Sequence, residues 1–237
     1  MIYKFNELDS TNKYCLENYN ELKQMDVVYA LKQTFGRGRM GRSWESNDSI
    51  AMSIVLKDNL NFDLGKISFV AAASIYNVLK KYVSNLSIKW PNDLLVNDQK
   101  ICGILCQSKI EDDAKCLVVG IGLNTNNESF DGELKQKAIS LYILNNKKYK
   151  NILIIKKIYR EFKRLYKLFL KGDTKYLSIC KENNYLLNKD IEFIYENKPM
   201  SGKVLDINDS CELVIQTKEE MISLKTGEVL LKKAYFF

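Results

Sequence analysis

Residues 33–44 read Gln33-Thr34-Phe35-Gly36-Arg37-Gly38-Arg39-Met40-Gly41-Arg42-Ser43-Trp44, and no other stretch narrows the fold and the chemistry so far. Three glycines and three arginines fall within seven residues. Glycine lets backbone N–H groups approach a ligand closely and adopt positive φ. Arginine carries a fixed charge on a planar donor fork that suits phosphate and carboxylate. Such a loop is built for an anion.

Commoner owners of Gly-x-Gly-x-x-Gly do not fit. A dinucleotide fold needs a helix to start at the last glycine. Here a polar, turn-rich segment follows, and then a second apolar run at 50–56. A Walker A loop would end in Gly-Lys-Ser/Thr. A protein kinase needs a catalytic His-Arg-Asp, and this chain has no histidine. That absence also removes Ser-His and Cys-His catalysis.

A chain of 237 residues holds one large domain, or a medium one with a small companion. No run approaches the roughly 18 apolar residues of a membrane span, and the start lacks signal-peptide architecture, so the expected location is the cytoplasm. The six cysteines form no Cys-x-x-Cys pair and read as buried small apolar residues. Much of the net charge of +7 lies between residues 147 and 175, on a predicted helix, which suggests a solvated face rather than a nucleic-acid surface.

Ser10-Thr11-Asn12 offers a helix N-cap before 13–22, with Cys15, Leu16, Tyr19 and Leu22 inward. The same residues also gather hydrogen-bonding groups where a polar ligand is favoured. Apolar runs predict strands at 27–33 and 50–56, on either side of the Gly-Arg loop. Residues 66–83 predict a broad-faced helix packed on a sheet. Strands at 86–90, 94–96, 101–108 and 116–123 follow, separated by polar turns, as in an antiparallel meander. Residues 135–144 are weakly helical, 151–171 form a long amphipathic helix, and 174–184 form another. Together these give an α+β class, a mixed or antiparallel sheet with packed helices. Beyond residue 188 five short strands, at 191–195, 200–207, 211–216, 220–224 and 227–231, suggest a small SH3-like barrel. The expected domains are 1–186 and 187–237.

Three further blocks accompany the Gly-Arg loop in order. They are Lys89-Trp90-Pro91-Asn92-Asp93, Lys100-Ile101-Cys102-Gly103-Ile104-Leu105 and Gly120-Ile121-Gly122-Leu123-Asn124. With Ser10-Thr11-Asn12 these resemble the biotin–protein ligases (biotin–[acetyl-CoA-carboxylase] ligases), along the whole chain. The resemblance implies a class II synthetase-like catalytic domain and two-step chemistry. The carboxylate of biotin attacks the α-phosphate of ATP, giving biotinyl-5′-AMP, and a lysine of a carboxylase's biotin carboxyl carrier domain then takes the biotinyl group. The residue types suit this chemistry, which needs positioning and charge neutralisation more than a protein nucleophile.

By the same resemblance, Ser10, Thr11, Asn12, Gln33, Arg37, Gly38, Arg39 and Lys100 would bind biotin. Arg37, Arg39, Arg42, Trp44, Asn92 and Asn124 would serve ATP or the adenylate. Lys100, Arg39, Asp93 and Lys89 would form the reaction centre, with Lys100 between the biotin carboxylate and the α-phosphate. Asp93 would be the Mg²⁺ ligand. Only nine residues precede Ser10, so the monofunctional type without a DNA-binding domain is expected. No specific DNA binding and no membrane partner are expected, and a homodimer is an open expectation. Two alternatives stand beside this reading: a lipoate or octanoate ligase of the same superfamily, and a basic nucleic-acid-binding module.

Overall fold

The computed structural model describes residues 1–44, 46–57, 60, 63, 65–111, 114–196, 198–225 and 230–233. The polar turn expected at 111–113 and the start of the fifth C-terminal strand, at 227–229, fall partly or wholly outside them.

The chain opens with β1 (Ile2–Leu8), α1 (Thr11–Glu17), β2 (Val27–Gln33), β3 (Ile50–Leu56) and α2 (Lys66–Leu79). The meander follows as β4 (Leu86–Lys89), β5 (Asp93–Val96), β6 (Gln99–Glu111) and β7 (Ala114–Leu123). Four helices come next: α3 (Leu134–Lys137), α4 (Leu141–Asn145), α5 (Asn151–Phe169) and α6 (Lys175–Glu182). The C-terminal strands are β8 (Asp190–Tyr195), β9 (Lys198–Ile207), β10 (Leu213–Gln216), β11 (Met221–Leu224) and β12 (Leu230–Lys233).

Among the described residues the strands make two sheets. The larger runs β1-β2-β3-β7-β6-β5-β4, and the smaller, antiparallel one runs β11-β10-β9-β8-β12. Only the β1–β2 pair in the larger sheet is parallel; the meander is antiparallel as expected.

Alternation along the strands sorts the larger sheet into two unlike faces. Ile50, Met52, Ile54 and Leu56 of β3, with Leu117, Val119, Ile121 and Leu123 of β7, face the main core. There α2 covers the sheet and α5 packs on α2. Large side chains meeting at this face explain why α2 is buried on most of its circumference. The other face carries Val55 and Val118, which meet Cys15, Tyr19 and Leu22 from α1 and the turn after it. Further along that face the residues shrink to Ala51, Ser53, Gly120 and Gly122.

Two differences from the sequence expectations have local causes. The first helix stops at Glu17, because Asn18 turns its side-chain amide back to donate to Tyr14 O at 2.9 Å. Tyr19 and Leu22 still reach the core from the turn that follows. The N-terminal strand β1 was not foreseen; it adds to the edge of β2 in parallel. The amphipathic face of α5 buries Ile154, Ile155, Ile158, Phe162 and Leu165, as its spacing predicts. The two parts of the chain share one core, and Trp90 Nε1 donates to Cys211 O at 3.1 Å across them.

Candidate active site

On the small-residue face lies an open cleft. It is lined by Ser10, Thr11 and Asn12 from α1, Gln33 at the end of β2, and Arg37, Gly38, Arg39 and Trp44 from the Gly-Arg segment. Asn92, Lys100, Gly103, Leu105, Gly120 and Gly122 complete the wall. Residues spread over more than a hundred positions of sequence thus meet at one place.

The floor is made of strands with almost no side chains. Gly122 pairs with Gly103 on one side and with Ala51 on the other. A Cβ at Gly122 would stand 2.3 Å from the Trp44 ring, and one at Gly120 would stand 2.3 Å from Asn12 Oδ1. Both approaches are possible only over glycine.

The Gly-Arg segment is a strap, not an open loop. Trp44 N–H donates to Gly36 O at 2.9 Å, Gly38 N–H donates to Arg42 O at 2.7 Å, and Arg37 bridges to Ser43. A tight turn at Arg39–Gly41 forms its tip, with Met40 at φ +56° and Gly41 at φ +73°. The third glycine therefore answers a left-handed backbone rather than a ligand contact. At the base, Gln33 N–H donates to the buried Ser46 hydroxyl at 2.7 Å.

Charge gathers at the other end of the cleft. Arg39 Nη1 donates to Asn92 Oδ1 at 3.0 Å, and Asn92 Nδ2 donates to Ile104 O at 2.9 Å, so the strap tip is tied to the Pro91–Asp93 turn. Lys100 Nζ lies 2.7 Å from Asp93 Oδ1 and 5.6 Å from the centre of the Trp44 ring. Lys89 faces Asp93 across the β4–β5 pair. Burial lowers the Arg39 guanidinium below its ordinary value, Asp93 opposes that shift and Arg42 reinforces it. Burial lowers the Lys89 ammonium in the same way, against the attraction of Asp93 and with repulsion from Lys100, Arg42 and Lys189. Three cations crowd one carboxylate here, so an arriving anion would relieve their mutual repulsion.

Not every expected residue enters the cleft. Asp93 and Lys89 stand beside Lys100 rather than in the wall. Arg42 lines a second depression with Phe35, Arg37 and Trp44. Asn124 is buried, and its amide donates to Ile139 O at 3.1 Å and Lys100 O at 3.3 Å. It braces the strand that carries Lys100. Among residues given no role from sequence, Ser53 and Gln107 bind Asn12 from below. Of the floor residues, Gly103, Gly120 and Gly122 lie within the sequence blocks quoted above, though without a role, and Ala51 carried no signal.

Comparison with known proteins matches this geometry. The profile of the Biotin/lipoate A/B protein ligase family matches residues 5–124, and that of the Biotin protein ligase C terminal domain matches residues 186–232. The chain belongs to this family. It is 30% identical over 235 residues to the bifunctional ligase/repressor BirA of Escherichia coli, covering 96% of this chain and 73% of that protein. It is 37% identical over 122 residues to the biotin–[acetyl-CoA-carboxylase] ligase of Paracoccus denitrificans, covering 49% of this chain and 51% of that one. Its fold is that of the biotin protein ligase from Aquifex aeolicus solved with biotin and ATP. That comparison gives a TM-score of 0.88 at 24% identity, over 98% of this chain and 99% of the other. In this chain helices pack on the seven-stranded sheet, and an antiparallel sheet follows within the region that the C-terminal domain profile matches. Among the described residues no helix is long and apolar enough to cross a membrane.

Proposed function

We propose that this ligase activates biotin with ATP in the cleft and passes the biotinyl group to a lysine of a carboxylase carrier domain. In the first step a biotin carboxylate oxygen bonds to the α-phosphorus, the bond to the β-phosphate breaks, and pyrophosphate leaves. In the second the acceptor amine, having lost its proton, attacks the acyl carbon and AMP leaves.

One observation carries the reading. A single cleft holds a neutral hydrogen-bonding end, made by Ser10, Thr11 and Gln33, and a cationic end, made by Arg39 and Lys100. Biotin has the matching asymmetry, with a ureido ring at one end and a carboxylate at the other. A lipoyl ring has no group for the polar end, which disfavours the lipoate alternative. We place Lys100 at the junction of carboxylate and α-phosphate, where negative charge is concentrated. Arg39 closes over it from the strap. Arg37, Arg42 and Trp44 flank the second depression, where we place the nucleotide. Asn124 acts through the Lys100 strand. The basic face of α5 lies on the opposite side of the sheet, so the reading does not need it.

Mg²⁺ accompanies ATP in such chemistry and, when bound, would supply neutralisation of phosphate charge. Among the described residues no cluster of three metal-ligating side chains exists. Asn92 is engaged by Arg39 and Ile104, and Asp93 is paired with Lys100. This donor set does not fit a protein-held ion. We therefore assign Mg²⁺ to the nucleotide's own phosphates, and Asp93 to orienting Lys100.

The test is pyrophosphate release on mixing the protein with Mg-ATP and either biotin or lipoate. Release with biotin alone is expected. Release with lipoate alone, or with neither, overturns the reading.

A further inference from the structure

We propose that Ser53, which does not line the cleft but holds two residues that do, is a positioning residue that sets the hydrogen-bond polarity of the cleft's neutral end. The proposal rests on the biotin reading above and assigns a determinant of how the ureido ring is recognised.

Counting protons fixes the network. Asn12 Nδ2 has two, and its neighbours are Leu105 O at 3.1 Å and Gln107 Oε1 at 2.8 Å, both acceptors. Asn12 Oδ1 must then face the other way, 2.6 Å from Ser53 Oγ. That oxygen can only accept, so the single Ser53 proton belongs to it. Ser53 Oγ is left as an acceptor, 2.8 Å from Thr11 Oγ1. Gln33 Oε1 accepts from Thr11 N–H at 2.8 Å and from Thr11 Oγ1 at 3.1 Å. Both possible partners of the Thr11 proton, Ser53 Oγ and Gln33 Oε1, are therefore groups of the protein itself.

The consequence reaches the surface of the cleft. With its proton drawn inward, Thr11 offers the cleft a lone pair. With its oxygen engaged, Gln33 keeps both Nε2 protons to donate, and that nitrogen sits against Gly36, where a Cβ would come within 2.7 Å. One acceptor beside one donor matches a ureido group, whose oxygen is flanked by N–H. Ser53 is fully buried, and so is the contact it makes. Room for Asn12 comes from Gly120, the register partner of Ser53 on β7.

Removing the hydroxyl would leave Asn12 Oδ1 without its donor and leave Gln33 Oε1 as the one acceptor in this network for the Thr11 proton. An unpaired buried oxygen is strongly disfavoured, so the end of the cleft would reorganise. The effect should fall on biotin alone, because ATP and the cationic end do not touch this network.

The experiment is steady-state pyrophosphate release by wild-type, Ser53→Ala and Ser53→Cys proteins, with biotin and Mg-ATP varied in turn and Tm recorded. Ser53→Ala should raise KM for biotin about 10- to 100-fold, leaving KM for ATP and kcat at saturating biotin within about twofold. Ser53→Cys, which keeps a weak donor of similar shape, should recover part of the loss. An unchanged KM for biotin overturns the proposal. So does a parallel rise in both KM values, the mark of a merely structural role. If Ser53→Ala fails to fold, Ser53→Cys alone decides by the same split. Failure of the wild-type protein to release pyrophosphate with biotin would instead overturn the underlying reading.

Discussion

Replacing Gly122 by alanine tests whether the bare strands are a binding floor or simply a thin part of the core. The added Cβ would lie 2.3 Å from Trp44 Cε2 and 2.6 Å from both Cζ2 and Nε1. Carbon atoms rest at about 3.5–4.0 Å, so the ring must retreat by roughly 1 Å or more. It cannot slide sideways, because Cζ3 already sits close above Gly103 and Trp44 N–H is tied to Gly36 O. Overpacking of this kind costs about 1–3 kcal/mol when the surroundings cannot yield.

Here the surroundings can yield in one direction. Trp44 is half-buried and belongs to a strap rather than to the sheet, so the indole can swing outward. The penalty then leaves the fold and appears in ligand binding, where the Cβ stands on the floor and the indole no longer covers it. At 1.4 kcal/mol per tenfold, about 1–3 kcal/mol becomes roughly a 5- to 150-fold loss in kcat/KM for biotin. Tm should fall by less than about 3 °C. Gly103→Ala is the graded control. Its Cβ would meet Lys100 Cε at 3.0 Å and Trp44 Cζ3 at 3.2 Å, softer contacts that a flexible lysine end can relieve. Its loss should therefore be smaller. Pyrophosphate release over a biotin series, paired with thermal melts, measures both quantities. Wild-type kcat/KM in Gly122→Ala, or a large fall in Tm with activity kept, would refute the floor.

Two further outcomes follow from the same geometry. Lys100→Ala removes the cation nearest the proposed reacting atoms, and single-turnover formation of the adenylate should slow by about 10²–10³-fold; a wild-type rate would remove Lys100 from the junction. Burial pushes the Cys15 and Cys106 thiols up to about 12 and Cys211 up to about 11. At pH 8 all three stay protonated; five of the six cysteines are buried and Cys106 is half-buried, so the native protein should react slowly with a disulfide reagent, Cys106 first, and release six thiols once unfolded. Rapid reaction of any one in the native state would contradict that packing.

Where the sequence was readable, the reason is local. Strands β2, β3, β6 and β7 are short apolar runs bounded by polar turns, and α5 carries its own stripe, so each element declares itself within its own length. The Gly-Arg strap was equally plain, because glycines and arginines at that density have few other uses. β1 was not plain. The segment Ile2–Leu8 mixes Lys4, Asn6 and Glu7 with its apolar residues, and its pairing partner lies 25 residues further on. Asn124 reads as a ligand-binding residue at the end of a glycine motif, yet its amide turns inward to carbonyls on two other segments. Ser53 was hidden for the same reason. It sits in the buried run Ile50–Leu56 and shows no purpose until Thr11 and Asn12 fold above it.

The position of the cleft follows from strand parity. Along β7, Val119, Ile121 and Leu123 fill the core face, while Gly120 and Gly122 empty the other. Along β3, Met52 and Ile54 face the core, and Ala51 and Ser53 back the cleft. Each strand therefore has two tasks, set by odd and even positions. A slip of β7 by one residue against β6 would bring Val119 and Ile121 onto the floor and send glycines into the core. It would lose core burial and close the cleft in one move. The packing that stabilises the α2 side thus also holds the cleft side open. Substitutions at Val119 or Ile121 that loosen register should harm binding even though their side chains point away from any ligand.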